Sequence, residues 1–342
     1  MIIIGVNSNG LNGKRDSLIK AVEELRPSAI MIQETKFVRK GTLKLEKFEI
    51  FEQIRSGKGG GGLLTGVHTD LSPILISDGS SEDIEILVVE ASMSEKRVRL
   101  INGYAPQEND PVDDRISFFA RLEEEIIMSK LSGCYTCVEL DANSKLGPEI
   151  IPKDPHSRTD NGELLLGIIE RNNLSICNSS EKCSGLITRK KVTINGIEES
   201  VIDFFLICEE LNNYFVEMMI DESRKYALTR YQKLKSGVKV TESDHNPLIC
   251  TFNISVPKIK SEQNQVEVFN FKDAEGQEAF KQMTSGNILT KIFENSNIVD
   301  PMKKWHKEFQ NILHRSFKKI KIKGVKPQNG EVIKIMKEEE KK

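Results

Sequence analysis

The chain has 342 residues, of which 29% are charged and 38% hydrophobic, and its formal net charge is -2. This length suffices for one large domain with an extension or for two domains. The charge excludes a general attraction to nucleic acid or to an anionic membrane. It is unevenly spread, since residues 1–256 hold 31 Lys and Arg against 39 Asp and Glu, whereas residues 257–342 hold 18 against 12. We therefore predict a folded domain over 1–256 and a basic, mostly helical connector or tail over 257–342.

The sequence predicts an intracellular protein without a membrane partner. No run approaches the roughly 18 apolar residues that a membrane span needs, and residues 1–6 lack the basic flank and the length of a signal peptide. Six cysteines without regular spacing indicate reduced thiols. Cys134 and Cys137 have the spacing of a zinc or redox pair, but no second Cys or His pair follows. A buried strand is the favoured interpretation of that pair.

The first elements form a strand, a helix and a strand. Residues 1–6 are apolar and β-prone and lead into Asn7-Ser-Asn-Gly-Leu, where Asn7 and Asn9 would share one face of an extended chain. Residues 14–25 have the apolar spacing of an amphipathic helix that ends before Pro27. The strand that follows is apolar until Glu34. Both strands thus end in polar side chains.

The next stretch predicts further strands and a second helix. Two β-prone runs within 48–67 flank the glycine-rich segment Ser56-Gly-Lys-Gly-Gly-Gly-Gly. A phosphate-binding P-loop would need Lys-Ser/Thr after the last glycine and then a helix, so a hairpin connection is predicted instead. Strands over 84–91 and 97–104 follow, the second ending at Tyr104, and a helix over 111–130 comes next.

The β-prone run that follows this helix ends in Asp141, with Asn143 two residues later. The two side chains would project together at the end of a strand. A turn is the simple explanation, because Asp, Asn and Ser commonly occur where a strand ends. A carboxylate beside an amide also suits a site that binds a metal or a proton.

A second carboxylate, Asp203, lies within an apolar run and requires a partner. The candidate partner is His245, which follows Asp244 just before a last strand over 247–253. Considered alone, an Asp-His pair is more typical of an exposed turn. The polar strand ends along the whole domain nevertheless indicate one site assembled at an edge of packed sheets.

Six motifs in this order resemble a known family. They are Asn7-Ser-Asn-Gly-Leu, Gln33-Glu-Thr, Tyr104-Ala-Pro, Leu140-Asp-Ala-Asn, Ile202-Asp-Phe and Ser243-Asp-His-Asn-Pro. Together they resemble the endonuclease/exonuclease/phosphatase superfamily, which includes deoxyribonuclease I and exonuclease III-type repair enzymes. Within it, Asn9-Gly-Leu-Asn, Gln33-Glu-Thr-Lys and Asp160-Asn-Gly are most similar to the endonuclease domains of non-LTR (LINE-type) retrotransposon polyproteins. The chain has no Tyr-x-Asp-Asp polymerase motif, so we expect a fragment or truncated copy without the reverse transcriptase.

The resemblance implies an α/β fold, a four-layered sandwich of two packed mixed β-sheets flanked by helices, with a mainly helical basic C-terminal extension. It implies a Mg²⁺-dependent endonuclease, with Mn²⁺ as a substitute, that nicks DNA and leaves a 3′-hydroxyl primer for retrotransposition. Such an enzyme would act in the nucleus on chromosomal DNA. Element RNA would be a second partner through the basic run at residues 315–326, although a solvated helix end or linker explains that run equally well.

The same resemblance implies roles for the candidate residues. Glu34 and Asn9 are the expected metal ligands, and Asp141 is expected to orient and deprotonate the attacking water. The remaining expected catalytic residues orient the phosphate, donate hydrogen bonds to it or support these groups, and they are His245, Asp203, Asn143, Tyr104, Asn7 and Asp244. Two β-prone runs around Asn195-Gly196 predict a hairpin with a type I′ turn, whose Arg189, Lys190 and Lys191 are expected to contact DNA phosphates.

Two alternatives remain open at this stage. One is an exonuclease III-like abasic-site repair nuclease or a related phosphatase. The other is a catalytically degenerate copy that only binds nucleic acid, because the family usually has glycine where this chain has Leu140. A bulky side chain there is expected to displace Asp141 or to crowd the phosphate, so Leu140→Gly is expected to raise activity.

Overall fold

The computed structural model describes residues 1–55, 60–79, 84–93, 96–234, 237–254, 265–271, 273–284, 309, 311–313, 315–317 and 319–323. The chain divides into two compact units, Met1–Lys258 and Ile259–Lys342. Among the described helices, none is both long and apolar enough to cross a membrane. All of the candidate catalytic residues lie in the first unit.

Seven strands of the first unit form sheet A. Its strands are mixed in direction, because Ile2–Asn7 runs parallel to Ala29–Gln33 and antiparallel to Leu248–Phe252. In spatial order the strands are β10 (Cys183–Ser184), β14 (Phe215–Ile220), β17 (Leu248–Phe252), β1 (Ile2–Asn7), β2 (Ala29–Gln33), β4 (Leu63–His68) and β3 (Phe48–Gln53).

Six strands form sheet B, which is also mixed. In spatial order they are β5 (Ile74–Ser77), β6 (Ile86–Ser92), β7 (Arg97–Tyr104), β8 (Tyr135–Asp141), β13 (Asp203–Cys208) and β9 (Leu174–Ile176). Strand β8 is parallel to β7 and antiparallel to β13. Because of this register, Asp141 lies opposite Tyr104 on one side and opposite Asp203 on the other.

Three apolar clusters hold the layers together. The two sheets pack face to face through side chains such as Met31 of sheet A and Phe205 of sheet B. The helix α1 (Arg15–Leu25) covers the outer face of sheet A through Leu18. The helices α2 (Val112–Leu131) and α3 (Asp160–Arg171) cover the outer face of sheet B. This arrangement is a four-layered α/β sandwich, so the predicted fold class is confirmed.

Two hairpins of the first unit belong to neither large sheet. One consists of β11 (Arg189–Thr193) and β12 (Gly196–Ser200), and the other of β15 (Thr229–Leu234) and β16 (Gly237–Glu242). A short helix, α4 (Glu209–Asn212), follows sheet strand β13. The glycine-rich residues 56–59 lie outside the described part of the chain, but the strands that flank them, β3 and β4, pair antiparallel.

The predicted position of the turn in the first hairpin was wrong by one residue. Thr193 pairs with Gly196, so Ile194 and Asn195 form the turn. Gly196 is the first residue of β12 and has a φ of 129°, a conformation that residues with a Cβ rarely adopt. The glycine therefore starts the returning strand instead of closing the turn.

The described residues of the second unit include both helix and strand. It contains the helix α5 (Ala274–Thr284) and an antiparallel pair, β18 (Gln265–Phe269) and β19 (Lys319–Lys323). The strand β19 is part of the basic run at 315–326, and its alternating Lys-Ile-Lys-Ile-Lys sequence is typical of a strand. The tail was predicted to be mostly helical, and the described residues 309, 311–313 and 315–316 are helical as well.

Candidate active site

Polar residues from both sheets meet where the central strands end. Asn7 ends β1 and Glu34 follows β2 in sheet A, while Tyr104 and Asp141 end β7 and β8 in sheet B. Asp203 begins the antiparallel strand β13 and therefore lies at the same edge. The parallel pairing of β1 with β2 and of β7 with β8 brings these five residues together.

The buried side chain of Asn7 joins the two sheets at this edge. Its Nδ2 donates to Glu34 Oε1 at 3.0 Å and to Asp141 Oδ2 at 2.7 Å. The Tyr104 hydroxyl donates to the same Glu34 oxygen at 3.0 Å. One amide thus holds two carboxylates close to each other.

The surroundings of Glu34 favour its ionised form. Burial alone would raise the pKa of Glu34, but hydrogen bonds from Asn7, Lys36 and Tyr104 outweigh burial and lower it. Lys36 Nζ lies 3.0 Å from Glu34 Oε2. Burial and the negative charge of Glu34 raise the pKa of Tyr104, so this hydroxyl keeps its proton and remains a donor.

The surroundings of Asp141 favour its protonated form, because this residue is buried beside another carboxylate. Burial, and then the charge of Asp203, raise the pKa of Asp141 to about 7. The backbone N–H of Asn143 donates to Asp141 Oδ1 at 3.1 Å. The Asn143 side chain donates to the carbonyl of Ala105 at 2.8 Å, which ties the end of β8 to the end of β7. A carboxylate with such a pKa suits a general base at neutral pH.

His245 lies between two carboxylates. Its Nδ1 is 2.9 and 3.0 Å from the two oxygens of Asp203, and its Nε2 is 3.9 Å from Asp141 Oδ2. Burial would lower the pKa of His245, but Asp203 above all, and then Asp141 and Asp244, raise it to about 9. The imidazole is therefore held as a cation that can donate from Nε2.

Asp141, Asp203 and His245 also form a possible metal-binding cluster. One ligand atom of each lies within 4.8 Å of the others, and all three residues are buried. Both Asp203 oxygens, however, face His245 Nδ1. A metal ion bound at this cluster would therefore compete with the contacts between Asp203 and His245. The carboxylates of Glu34 and Asp141, in contrast, have the amide of Asn7 as their common hydrogen-bond donor.

Asp244 and Asn9 form the outer part of the site. Asn9 Nδ2 donates to Asp244 Oδ1 at 3.0 Å, and Arg189 Nε donates to Asp244 Oδ2 at 2.9 Å. Burial raises the pKa of Asp244, but His245 and Arg189 outweigh burial and lower it. The Lys36 ammonium donates to Asn9 Oδ1 at 2.6 Å as well as contacting Glu34. Glu34 and Asn9, the two predicted metal ligands, thus both contact one cation, the ammonium group of Lys36.

The three predicted DNA-contacting residues have different surroundings. Arg189 is half-buried and holds Asp244, so it is part of the site itself. Lys190 is exposed and pairs with Glu199 at 2.7 Å. Lys191 is exposed. The hairpin is attached to the site, because the backbone N–H of Lys190 donates to the carbonyl of Asp244 at 2.7 Å.

Sequence reasoning missed Arg224, which braces the loop at residues 243–246. Its guanidinium donates to the carbonyl of Ser243, to Asn246 Oδ1 at 3.0 Å and to Glu242 Oε2 at 3.2 Å. The loop carries Asp244 and His245 of the site. An isolated arginine some twenty residues before a motif gives no local signal, so only the folded chain reveals it.

A buried acid, Glu139, was also missed. It lies in β8 two residues before Asp141, accepts a hydrogen bond from Gln33, and has a pKa raised well above its ordinary value by burial and by Asp203. A Cβ on Gly5 of β1 would lie 2.3 Å from Glu139 Cδ. Gly5 therefore provides the space for this acid between the sheets.

The expectation that Leu140 would crowd the phosphate was wrong. Its side chain is fully buried with Phe118 in the cluster between sheet B and the helices. Successive side chains of a strand point to opposite faces, so Leu140 points away from the face on which Asp141 reaches the site.

No family model and no curated protein matches the sequence, but solved structures share its fold. The endonuclease domain of TRAS1, a telomere-specific non-LTR retrotransposon, is 16% identical with a TM-score of 0.52, over 73% of this chain and 97% of that one. The AP endonuclease LMAP from Leishmania major is 16% identical with a TM-score of 0.57, over 73% and 86%. A 3′-5′ exonuclease from Neisseria meningitidis is 16% identical with a TM-score of 0.55, over 74% and 100%. The chain therefore has the fold of the endonuclease/exonuclease/phosphatase superfamily, which its six motifs predicted.

Proposed function

We propose that the protein is a metal-dependent DNA endonuclease that cuts one strand and leaves a 3′-hydroxyl primer for retrotransposition. The observation that carries the proposal is that Glu34 and Asp141 share the amide of Asn7 as a hydrogen-bond donor, while His245 Nε2 lies 3.9 Å from Asp141 Oδ2. A phosphodiester repels an attacking water, so its hydrolysis requires charge neutralisation and a positioned base. The fold shared with the TRAS1 endonuclease domain supports the retrotransposon role.

The residues present fit a divalent cation such as Mg²⁺, with Mn²⁺ as a substitute. Glu34 and Asn9 would hold it through carboxylate and amide oxygens, the ligands that Mg²⁺ prefers. These two side chains already share a cation, the Lys36 ammonium. A bound divalent cation supplies charge neutralisation at the phosphoryl and leaving oxygens.

The chain's own residues would handle the proton and the phosphate. Asp141, held by Asn7 and by the backbone of Asn143, would take the proton of the attacking water. His245, kept cationic by Asp203, would donate a hydrogen bond to a phosphate oxygen. Tyr104, whose hydroxyl keeps its proton, would donate a hydrogen bond to the same phosphate in place of Glu34 when DNA is bound. Asp244, fixed by Asn9 and Arg189, would hold the outer side of the site.

The test is the nicking of supercoiled plasmid with Mg²⁺ and with EDTA. We expect nicking only with the divalent cation, and we expect Asp141→Ala and His245→Ala each to lose most of the activity while remaining folded by circular dichroism. Extension of the nick by a DNA polymerase without further processing would demonstrate the 3′-hydroxyl. Equal nicking by the wild type and both variants would refute the assignment of the site.

The principal alternative is an abasic-site repair nuclease or a related phosphatase. The fold likeness to LMAP, named an AP endonuclease, favours it, and its TM-score of 0.57 exceeds the 0.52 for TRAS1. Duplexes with one abasic site, with a 3′-phosphate and with neither separate the possibilities. Faster cleavage of the unmodified duplex supports the retrotransposon role, preference for a modified one supports repair, and no cleavage of any indicates a catalytically inactive binding domain.

The proposed role also places the protein in the nucleus, where chromosomal DNA is its substrate. Binding of element RNA through residues 315–326 is a separate part of the proposal and rests on the basic sequence of that run. Loss of RNA binding on replacing its lysines, with plasmid nicking intact, would support that part. Unchanged RNA binding would remove it.

A further inference from the structure

A second hairpin, formed by β15 and β16, adjoins the candidate active site. It belongs to neither large sheet, and its strands pair in register with Tyr231 opposite Val240. Strand β16 ends at Glu242, and Ser243 and Asp244 of the site follow directly. The hairpin therefore projects from the edge of the site.

Hydrogen bonds fix the base of this hairpin to the rest of the first unit. The N–H of Thr229 donates to Ser17 Oγ of α1 at 3.2 Å, and the N–H of Ser243 donates to the carbonyl of Leu228 at 3.0 Å. The Arg230 side chain lies against the backbone of Gly13, because a Cβ at Gly13 would be 2.8 Å from Arg230 Cδ. Gly13 is four residues after Asn9, so Arg230 lies beside the loop that carries a predicted metal ligand.

On both faces of the hairpin, the side chains described for residues 230–232 and 239–242 are exposed. Arg230 and Lys239 lie on one face, while Tyr231 and its cross-strand partner Val240 lie on the other. Tyr231 is 71% and Val240 50% exposed. An isolated two-stranded hairpin gains little stability from its own packing, so the fold does not explain the exposure of Tyr231 and Val240.

The hairpin carries a net positive charge, whereas residues 1–256 as a whole carry a net negative charge. Residues 229–242 contain four basic residues and one acid, although residues 1–256 as a whole contain more acids than bases. The single acid, Glu242, lies 3.2 Å from Arg224. The hairpin therefore presents positive charge beside a site for a phosphodiester, and a polyanion is the partner that complements it.

We propose that β15 and β16 form a docking arm that lies in a groove of duplex DNA next to the cut. A two-stranded ribbon fits the major groove, Arg230 and Lys239 contact phosphates, and Tyr231 packs against the groove wall. Phosphate contacts position a duplex without reading its sequence, so the arm adds affinity more than specificity. The inference rests on the proposed function in that the same DNA is bound and cut.

The test measures binding of a fluorescein-labelled duplex by the full chain in EDTA, which separates binding from cutting. Arg230→Ala with Lys239→Ala is expected to raise Kd roughly tenfold at moderate salt and to reduce the slope of log K against log salt by about 2, because each lost phosphate contact removes about 0.9. Tyr231→Ala is expected to raise Kd without changing the slope. Lys96→Ala with Lys130→Ala is the matched control, since these exposed lysines lie at the other end of β7 and β8 from Asp141.

The outcomes separate this inference from the proposed function. A salt slope that is the same in the arm variant, the control and the wild type would overturn the arm, and so would a wild type that does not bind the duplex. An unchanged Kd for Tyr231→Ala would overturn the groove placement. If the wild type binds through the arm but does not nick plasmid with Mg²⁺, the arm stands and the proposed activity fails. Loss of RNA binding alone in the arm variant would refute the choice of DNA as partner.

Discussion

Gly103 and Leu140 lie opposite each other on β7 and β8, and Leu140 fills the space that the missing side chain of Gly103 leaves. A Cβ on Gly103 would lie 2.8 Å from Leu140 Cδ1, which is closer than side chains pack. Leu140 belongs to the buried apolar cluster between sheet B and the helices, which also contains Phe118. Gly103 in the neighbouring strand thus provides the space for Leu140, so the bulky residue before Asp141 is accommodated away from the site.

We therefore expect Leu140→Ala to lower stability without improving catalysis. The loss of a fully buried leucine leaves a cavity and should reduce the free energy of unfolding by roughly 2–5 kcal/mol, measured by urea denaturation. Leu131→Ala is the matched control, because Leu131 is 75% exposed and should change stability little. A rise in nicking rate for Leu140→Gly would contradict this account and would restore the view that the family's glycine serves the site.

The raised pKa values of Asp141 and His245 make stability depend on pH when no divalent cation is bound. The pKa of Asp141 rises from 3.8 to about 7 and that of His245 from 6.5 to about 9. Both groups bind a proton more tightly in the folded state, so their contribution to stability is present at low pH and is lost as pH rises through these values. In EDTA, the free energy of unfolding should accordingly fall between pH 5 and pH 9.

Asp141→Asn tests the first of these two groups. The substitution removes a buried carboxylate, so at pH 8 it should raise the free energy of unfolding in EDTA by an amount on the order of 2 kcal/mol, with a smaller gain at pH 5 and with loss of nicking. Asp113→Asn, on the exposed surface of α2, is the control. An Asp141→Asn protein that is less stable than the wild type at pH 8 would show that the carboxylate is stabilised by its neighbours.

Lys36 should compete with the metal ion. Its ammonium contacts Glu34 at 3.0 Å and Asn9 at 2.6 Å, so it occupies the oxygens proposed as metal ligands. Lys36→Met retains the apolar stem and should lower the Mg²⁺ concentration for half-maximal nicking several-fold, because a nearby like charge is removed. Lys40→Met is the control, because Lys40 pairs with Asp78, and it should leave the Mg²⁺ concentration for half-maximal nicking unchanged. An unaltered Mg²⁺ requirement in Lys36→Met would argue that the metal binds elsewhere.

Arg224 should act on catalysis by holding the loop at residues 243–246. Arg224→Lys keeps the charge but lacks the fork that reaches Ser243 and Asn246 together. We expect a fall in kcat on the order of 10- to 100-fold, since small displacements of catalytic groups are costly, with little change in KM. Lys225→Ala alters the neighbouring, exposed residue and should retain full activity. A normal kcat in Arg224→Lys would mean that the loop keeps its position without this fork.

Local sequence signals predicted the fold and the gathering of polar strand ends. Asn7 and Glu34 come at the ends of apolar strands that are parallel neighbours in sheet A, whereas Asp141 ends an apolar strand of sheet B and reaches Asn7 across the two sheets. The side chain of Tyr104 illustrates the limit of these signals. Its hydroxyl donates to Glu34, a partner that is set by the packing of the two sheets and that local sequence does not indicate.

What the sequence did not reveal depends on contacts between distant residues. Gly5 and Glu139 are 134 positions apart, and only the packing of β1 on β8 makes glycine necessary. The hairpin of β15 and β16 alternates apolar and polar residues only briefly, so it was missed. The turn at Ile194 and Asn195 was misplaced because Asn-Gly indicates a tight turn wherever it occurs, while strand pairing decides which residue begins the return.

The exposed tip of β11 and β12 should influence where DNA is cut. Ile194 is fully exposed at the turn, and Val192 and Ile197, which pair across the strands, are also exposed. The hairpin adjoins the site through Lys190 and Asp244, so its tip can contact DNA beyond the cut and respond to groove width or ease of bending. Replacement of residues 193–198 by a shorter turn should therefore change the pattern of nicks more than the total rate.

The basic arm of the same hairpin should act uniformly on all sites. Arg189→Ala with Lys190→Ala is expected to weaken cutting everywhere and to lessen its dependence on salt, but Arg189 also holds Asp244. Lys190→Ala with Lys191→Ala leaves that contact in place, so a reduced salt dependence in this second variant assigns the effect to phosphate contacts. Nick positions are mapped by primer extension at equal extents of nicking, so that a slower variant is compared fairly. Identical maps for the wild type and the shortened turn would show that the tip does not select the target, since any contact of Ile194 with DNA would then be independent of sequence.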